Sequence, residues 1–437
     1  MRSFRVVALV VALVVALAVP AAEAASLGPM SVHPAQYTPS LAPNGTTEQV
    51  RQLTPCGGLI YAVGRFTKIA QGGTTYTRNN AFSFSASTGA LSGWNPNVNG
   101  QVNTVALSAD CGTAYLGGSF TSVHNTGVKD IAAVNSATGA VVSTFAHAAG
   151  GPVEALLLTG GHLLAGGYGA LGGTRKYMAS LNPATGRDDG YVNLNISGNY
   201  QFPGVQANGT RVYNFSRSPG DTKVLVTGDF TSVGGKARRQ IFMLDLGSTA
   251  TSVDPWYSKE FDGNCSTTQP FYLQDASWSP DGGTIYTAAT GYKPYDLGKN
   301  VPRSGLCDSA AAFPSTASST LTHRWINYTG CDSLYSTAAD NSAAYFGGHE
   351  RWASNPNGCD VKGPGAVDAP GMVGLSPTTG NVSVNPTRGR GLGADDMVIT
   401  SQGLWIASDN FNGTNACGKN STGGPASGHA GICLLPY

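Results

Sequence analysis

One short apolar strand returns seven times along this chain, and that recurrence restricts the available folds more than any other feature. The copies are Ile60-Tyr61-Ala62-Val63-Gly64, Ala114-Tyr115-Leu116-Gly117-Gly118, 163–167, 224–228, 285–288, 344–348 and 404–407. Aligned on Tyr61, Tyr115, Leu164, Leu225, Tyr286, Tyr345 and Trp405, successive copies lie 54, 49, 61, 61, 59 and 60 residues apart. A supersecondary unit of this length cannot bury its own apolar face, so neighbouring units must pack on one another.

Each copy keeps the same companions. An alternating strand such as 102–107 precedes it and ends in a tight turn. In the turn at 279–283, Asp281-Gly282 supplies the positive φ that a hairpin needs. An apolar strand such as 131–135 follows, then a Thr-Gly turn at Thr88-Gly89, Thr138-Gly139, Thr185-Gly186 and Thr379-Gly380. A fourth strand is expected to end near an aromatic: Trp94, Phe145, Trp256 or Trp325.

This pattern predicts an all-β chain: a single seven-bladed β-propeller of four-stranded antiparallel blades. The blades are expected at about 45–98, 99–148, 149–205, 206–262, 263–329, 330–388 and 389–437, the last completed by 34–43. The final repeat stops at its third strand, Gly431 to Leu435. The segment around Tyr37 to Leu41 is therefore expected to add the missing strand and close the ring.

The runs Gly-Gly-Ser-Phe-Thr-Ser-Val at 117–123 and Gly-Asp-Phe-Thr-Ser-Val-Gly-Gly at 228–235 resemble the delta-60 propeller repeat of secreted bacterial, especially actinobacterial, proteins. The resemblance covers blades one to four best and fades after about residue 290. It implies a propeller and an extracellular location, and it implies no activity. Where other repeats read Gly-x-Phe-Thr, the sixth reads Gly348-His349-Glu350-Arg351-Trp352.

Composition agrees. Charged residues make up 12% of the chain, about half the usual share for a globular domain, while Gly is abundant. A net charge of +1 with no Lys/Arg block argues against nucleic-acid binding. Arg2 and Arg5, the apolar run 7–18 and Ala22-Glu23-Ala24 read as a signal peptide over residues 1–24. The mature chain is expected to be secreted, free of the membrane and monomeric.

Its eight cysteines, Cys56, Cys111, Cys265, Cys307, Cys331, Cys359, Cys417 and Cys433, contain no CxxC pair. In an oxidising compartment they read as disulfides rather than zinc ligands. Cys56 and Cys111 occupy corresponding turns of adjacent blades, and Cys417 and Cys433 lie sixteen apart, so these two pairs are expected. The other four read as staples for long loops, with their pairing open.

In a propeller the second-to-third strand loops and the blade-to-blade crossings share one face. The long loops 290–305, 349–370 and 408–430 gather there, where function usually sits. Three groups on that face are candidates for ligand binding. His349, Glu350, Arg351 and Trp352 combine charge with a stacking surface, and equally suit a rim aromatic beside a Glu–Arg pair. Asp395 and Asp396 could hold Ca²⁺ or exchange a proton, but strand neighbours point to opposite faces, which favours a solvated turn. Arg388 and Arg390 extend a recurring basic position (Arg78, Lys129, Arg175, Arg239) that suits either a polyanion or a repeated structural ion pair.

Ser-x-Asp-x-Gly-x-x-Tyr at 108–115 and 279–286 resembles the Asp-box turn of sialidases, a hairpin device remote from chemistry. No nucleophile elbow, His-Glu-x-x-His, phosphate loop or dinucleotide fingerprint is present, and the seven His are scattered. No catalytic residue is assigned, and no cofactor is expected beyond that Ca²⁺ option. The expected role is a secreted, non-catalytic binding or scaffold propeller that recognises a glycan or cell-wall polymer. The alternatives are a polysaccharide hydrolase or lyase, and a platform for another secreted protein.

Overall fold

The computed structural model describes residues 29–437, apart from 148, 174, 200–208, 264, 266–270, 292–304, 319 and 412–415. The expected signal peptide and most of the loop 290–305 lie outside the described residues.

The described residues form antiparallel β-sheets joined by turns, with a short 3-10 turn at Lys259–Asp262 and no α-helix. Seven sheets carry the seven repeats. Their first strands are Gln49–Cys56, Gln101–Leu107, Val153–Thr159, Arg211–Arg217, Leu273–Trp278, Leu334–Ala339 and Asp396–Thr400. The recurring apolar strand pairs with each as the second strand. The first strand of every sheet lies against that of the next, and that of sheet seven lies against that of sheet one.

The apolar residues explain this stacking. Because the second strand is buried on both faces, its side chains pack alternately on the sheets before and after it. Seven apolar clusters result, each between two neighbouring sheets. The aromatic at the outer end of a sheet caps the next interface: Trp94 packs on sheet two, Phe145 on three, Trp256 on five and Trp325 on six. Trp256 and Trp325 also donate their indole N–H to the carbonyls of Pro314 and Pro377, both at 2.9 Å. Full burial of such a side chain stabilises by about 2–3 kcal/mol.

Two expectations need correction. Sheets four, five and six have four strands, whereas the others have three. In sheets one to three the outer strand shrinks to an isolated bridge, such as Phe84↔Leu91 or Val134↔Val141. The terminal clasp also begins earlier than residue 34. Ser31, Ala35 and Leu41 donate to Pro436, Leu434 and Ala430 at 2.7, 2.9 and 2.8 Å, so the stretch 31–41 runs beside the closing segment of sheet seven, and Ser40–Leu41 pairs as well with Lys68–Gln71 of the first repeat. It begins as an irregular segment, because Pro34 cannot donate to a ladder.

Four disulfides join Cys56–Cys111, Cys265–Cys307, Cys331–Cys359 and Cys417–Cys433. The first and last are the expected pairs. Such bridges fit an oxidising compartment. Among the described residues no helix is long and apolar enough to cross a membrane.

Candidate functional site

In six sheets the pairing of first and second strands slips by one residue at the same place. Val50 and Gln52 pair with consecutive residues of the second strand, so Arg51 bulges out. Asn103, Glu154, Tyr213, Gln274 and Tyr335 bulge identically in sheets two to six. In sheet seven Asp395 occupies this position just ahead of the ladder. All seven side chains line one cavity of about 350 Å³ where the first strands begin.

The recurring glycine of the second strand belongs to this device. A Cβ at Gly64 would lie 2.0 Å from the Gln49 carbonyl, and one at Gly228 would lie 2.3 Å from that of Arg211. The bulge presses the first strand's backbone onto the second, so a small residue stands there: Gly64, Gly118, Gly167, Gly228 and Gly348, with Ala289 in sheet five.

The next residue of six first strands ties its sheet to the following one. Gln52 accepts from Val105 N at 2.6 Å, and Thr104 accepts from Leu156 N at 3.1 Å. Asn214 donates to Asp275 at 2.6 Å, and Asp275 accepts from Thr337 N at 2.9 Å. Ser336 donates to the Ala394 carbonyl at 2.8 Å, and Asp396 accepts from Leu53 N at 2.8 Å. Ala155, the counterpart in sheet three, has no group to offer.

Burial shapes the acids here. Desolvation pushes Asp395 up to about 7, against the opposing pull of Arg51 and Gln49. It pushes Asp396 up to about 6, against the Leu53 N–H. Asp275 rises to about 7 because desolvation, aided by the charge of Asp396, outweighs its hydrogen bonds. Glu154 is raised by desolvation and drawn back by Arg51 and then Arg211.

Asp395 and Asp396 thus line the cavity together instead of sitting in a solvated turn. The alternation argument fails because Asp395 precedes the ladder. Among the described residues no group of three or more His, Cys, Asp or Glu is placed to hold a metal ion. Asp395 is engaged by Gln49 and Asp396 by the Leu53 N–H.

The His-Glu-Arg-Trp run has a different fate. Arg351 grips Asp332 through Nε at 2.8 Å and Nη2 at 2.9 Å, and also pairs with Asp360. Arg390 donates to Asp332 at 3.0 Å and to the His349 carbonyl at 2.6 Å. His349 donates Nδ1–H to the Gly391 carbonyl at 2.8 Å, and the Arg351 guanidinium lies 4.5 Å from the centre of the half-buried Trp352 ring. Asp332, adjacent to the disulfide at Cys331, is the hub of this knot, and sequence reasoning missed it.

Glu350 is fully buried and neither carboxyl oxygen has a hydrogen-bond partner among the described residues. Desolvation first, then the charge of Asp332, raises it well above the ordinary range, while Arg390 and Arg388 oppose. Arg388 is buried as well. It donates to the Gly389 carbonyl at 2.6 Å, to Ser408 and to the Asp409 carbonyl at 3.2 Å, and desolvation lowers it to about 10.

The recurring basic residues serve their own sheets. Arg78 donates to the Thr77 carbonyl at 3.0 Å, Arg175 pairs with Asp188 at 2.9 Å, and Arg239 donates to the Asp262 carbonyl at 3.1 Å. Lys129 is exposed beside Asp130. This pattern fits repeated local contacts better than a shared polyanion site.

No protein-family model matches the chain, so the delta-60 resemblance gains no support from one, and no curated protein matches either. Among solved structures, the hydrazine synthase of Kuenenia stuttgartiensis is similar at 11% identity and TM-score 0.47, over 82% of this chain and 92% of that one. A chain of the mitotic checkpoint complex is similar at 14% identity and TM-score 0.32, over 55% of this chain and 60% of that one.

Proposed function

We propose that this chain is a secreted, closed seven-bladed β-propeller that binds a glycan or cell-wall polymer without cleaving it, using the axial cavity as its ligand site. Closure is supported by the neighbour-to-neighbour packing of seven sheets and by the link from Asp396 to Leu53. Secretion is supported by the N-terminal signal pattern and the four disulfides.

The observation that carries the ligand reading is the ring of bulged side chains. Six strands each turn one residue out of the ladder, and Asp395 joins them just ahead of the seventh, around a common cavity whose volume falls in the range of small-ligand sites, about 300–1,000 Å³. The planar amides, carboxyls, guanidinium and phenols there suit the paired hydroxyls of a sugar. The cavity opens on the same face as the loops of the sixth and seventh repeats, which a longer polymer would cross. A hydrolase or lyase is the rival reading, because Asp395, at about 7, can carry a proton at neutral pH.

The test is co-sedimentation of the purified mature protein with insoluble polysaccharides and bacterial cell walls, with released reducing ends assayed in the same tubes. Retention without release is expected. Gln274→Ala should reduce retention, and Trp352→Ala should leave it unchanged. The opposite response of the two variants would move the site to the sixth-repeat loop. Released ends would establish the hydrolytic or lytic alternative, and retention by nothing tested would favour a protein partner.

A further inference from the structure

The side chains lining the axial cavity differ in what they are free to do. Gln52, Thr104, Asn214 and Asp396 are committed to the neighbouring sheets. Asn103 donates to the Val153 carbonyl at 3.1 Å and accepts from Gln101 at 2.6 Å. Gln49 is engaged by Asp395 and by Arg51. Three groups keep capacity. Glu154 and Gln274 make no side-chain hydrogen bond to the described residues, and Arg51 makes one, at 3.4 Å to Gln49. Arg51 thus retains most of its five N–H donors.

Arg51 and Glu154 belong to sheets one and three and lie within electrostatic reach of each other. No ion pair forms between them among the described residues. The other cation near Glu154 is held against aromatic rings and does not line the cavity. Arg211 donates to the Tyr213 hydroxyl at 2.9 Å, and its guanidinium lies 4.3 and 4.8 Å from the ring centres of Tyr213 and Tyr168. A cation and an anion therefore line one cavity without pairing. A neutral guest would take water from both charges and return little. A guest carrying both signs makes two charge-assisted contacts, which are about twice as strong as neutral ones.

We propose that the cavity selects a zwitterionic ligand: an α-amino-acid head whose carboxylate sits on Arg51 and whose ammonium sits on Glu154, with the Gln274 amide beside it. This rests on the axial cavity being the ligand site, and it narrows the polymer class to one bearing such heads. A free amino acid and an α-amino-acid substituent on a wall polymer present the same chemistry.

Ligand-observed NMR titration of the mature protein at pH 7 tests this, with L-alanine, D-alanine, ethylamine, propionate and glucose as probes. Alanine of at least one hand should bind about ten-fold more tightly than ethylamine or propionate, the value of one charge-assisted contact. Glu154→Gln and Arg51→Gln should each weaken alanine by about ten-fold and leave the melting temperature in place. Soluble wall fragments, intact and amine-acetylated, separate the two sources. Loss of binding on acetylation identifies the polymer-borne head, and binding of free alanine alone identifies the free amino acid. Glucose binding with no preference for alanine would overturn the zwitterion while keeping the cavity as the site. Alanine binding untouched by both substitutions would overturn it as well. If no probe and no polysaccharide binds, the ligand-site reading fails with it.

Discussion

Two regions of this molecule are rich in opposite charges, and they use them in contrary ways. At the sixth repeat, Asp332 is gripped by both Arg351 and Arg390, so that the charges neutralise one another beneath a loop. At the axis, Arg51 and Glu154 share a cavity and form no ion pair among the described residues. The first arrangement leaves little capacity for a partner from outside. The second leaves room for one. A conspicuous cluster such as His349–Trp352 is thus a poor guide to function until its internal partners are counted.

The sharpest way to break this contrast is Asp332→Ala. Removing the buried acceptor leaves Arg351 only Asp360 and Arg390 only the His349 carbonyl among the described residues, and the loss of these charge-assisted bonds should be about 3 kcal/mol in urea unfolding. Polysaccharide retention should survive in the fraction that folds. A loss under 1 kcal/mol would show that the knot is not structural. Next in size is Gly64→Ala, whose Cβ meets the Gln49 carbonyl at 2.0 Å. It should cost about 2 kcal/mol or more through backbone displacement and disturb the cavity through Arg51, unlike Asp332→Ala.

The smallest effect concerns Glu350. Its carboxyl is raised in the folded protein, chiefly by desolvation with Asp332 adding to it, against Arg390 and Arg388. Folding therefore gains from Glu350 staying protonated. That stability is fully present below the ordinary carboxylate range and is lost as pH rises through the raised value. Glu350→Gln does not titrate, so its stability relative to the parent should rise between pH 4 and pH 8. Melting temperatures across that range give the answer, and parallel curves would show that Glu350 ionises freely.

These experiments also mark how far the sequence could be read. Apolar periodicity located the seven second strands and the aromatic caps, because both report burial. Corresponding turns were enough for Cys56–Cys111. The axial ring escaped because its positions share a geometry and not a residue type: Arg51, Asn103, Glu154, Tyr213, Gln274, Tyr335 and Asp395. The available signal was the recurring glycine of the second strand, which marks where a bulge presses in. Asp332 escaped because its partners, at positions 351 and 390, come together only through the long loop. The clasp was legible from the missing strand of the last repeat, but its first bond, from Ser31 N to the Pro436 carbonyl, lies ahead of the expected segment.

The links that follow each bulge have one more consequence. Where the two ends of the chain come together, sheet seven holds sheet one through Asp396 and the Leu53 N–H. Between sheets three and four the linking position is Ala155, and it contributes nothing polar. If the sheets are beads on a necklace, sheets seven and one meet at a junction fastened at its inner end, while sheets three and four are fastened only farther out, where the Tyr191 hydroxyl donates to the Gly247 carbonyl at 2.8 Å. Under load, or in mild denaturant, the inner end of that mid-chain seam is where amide protons should first exchange.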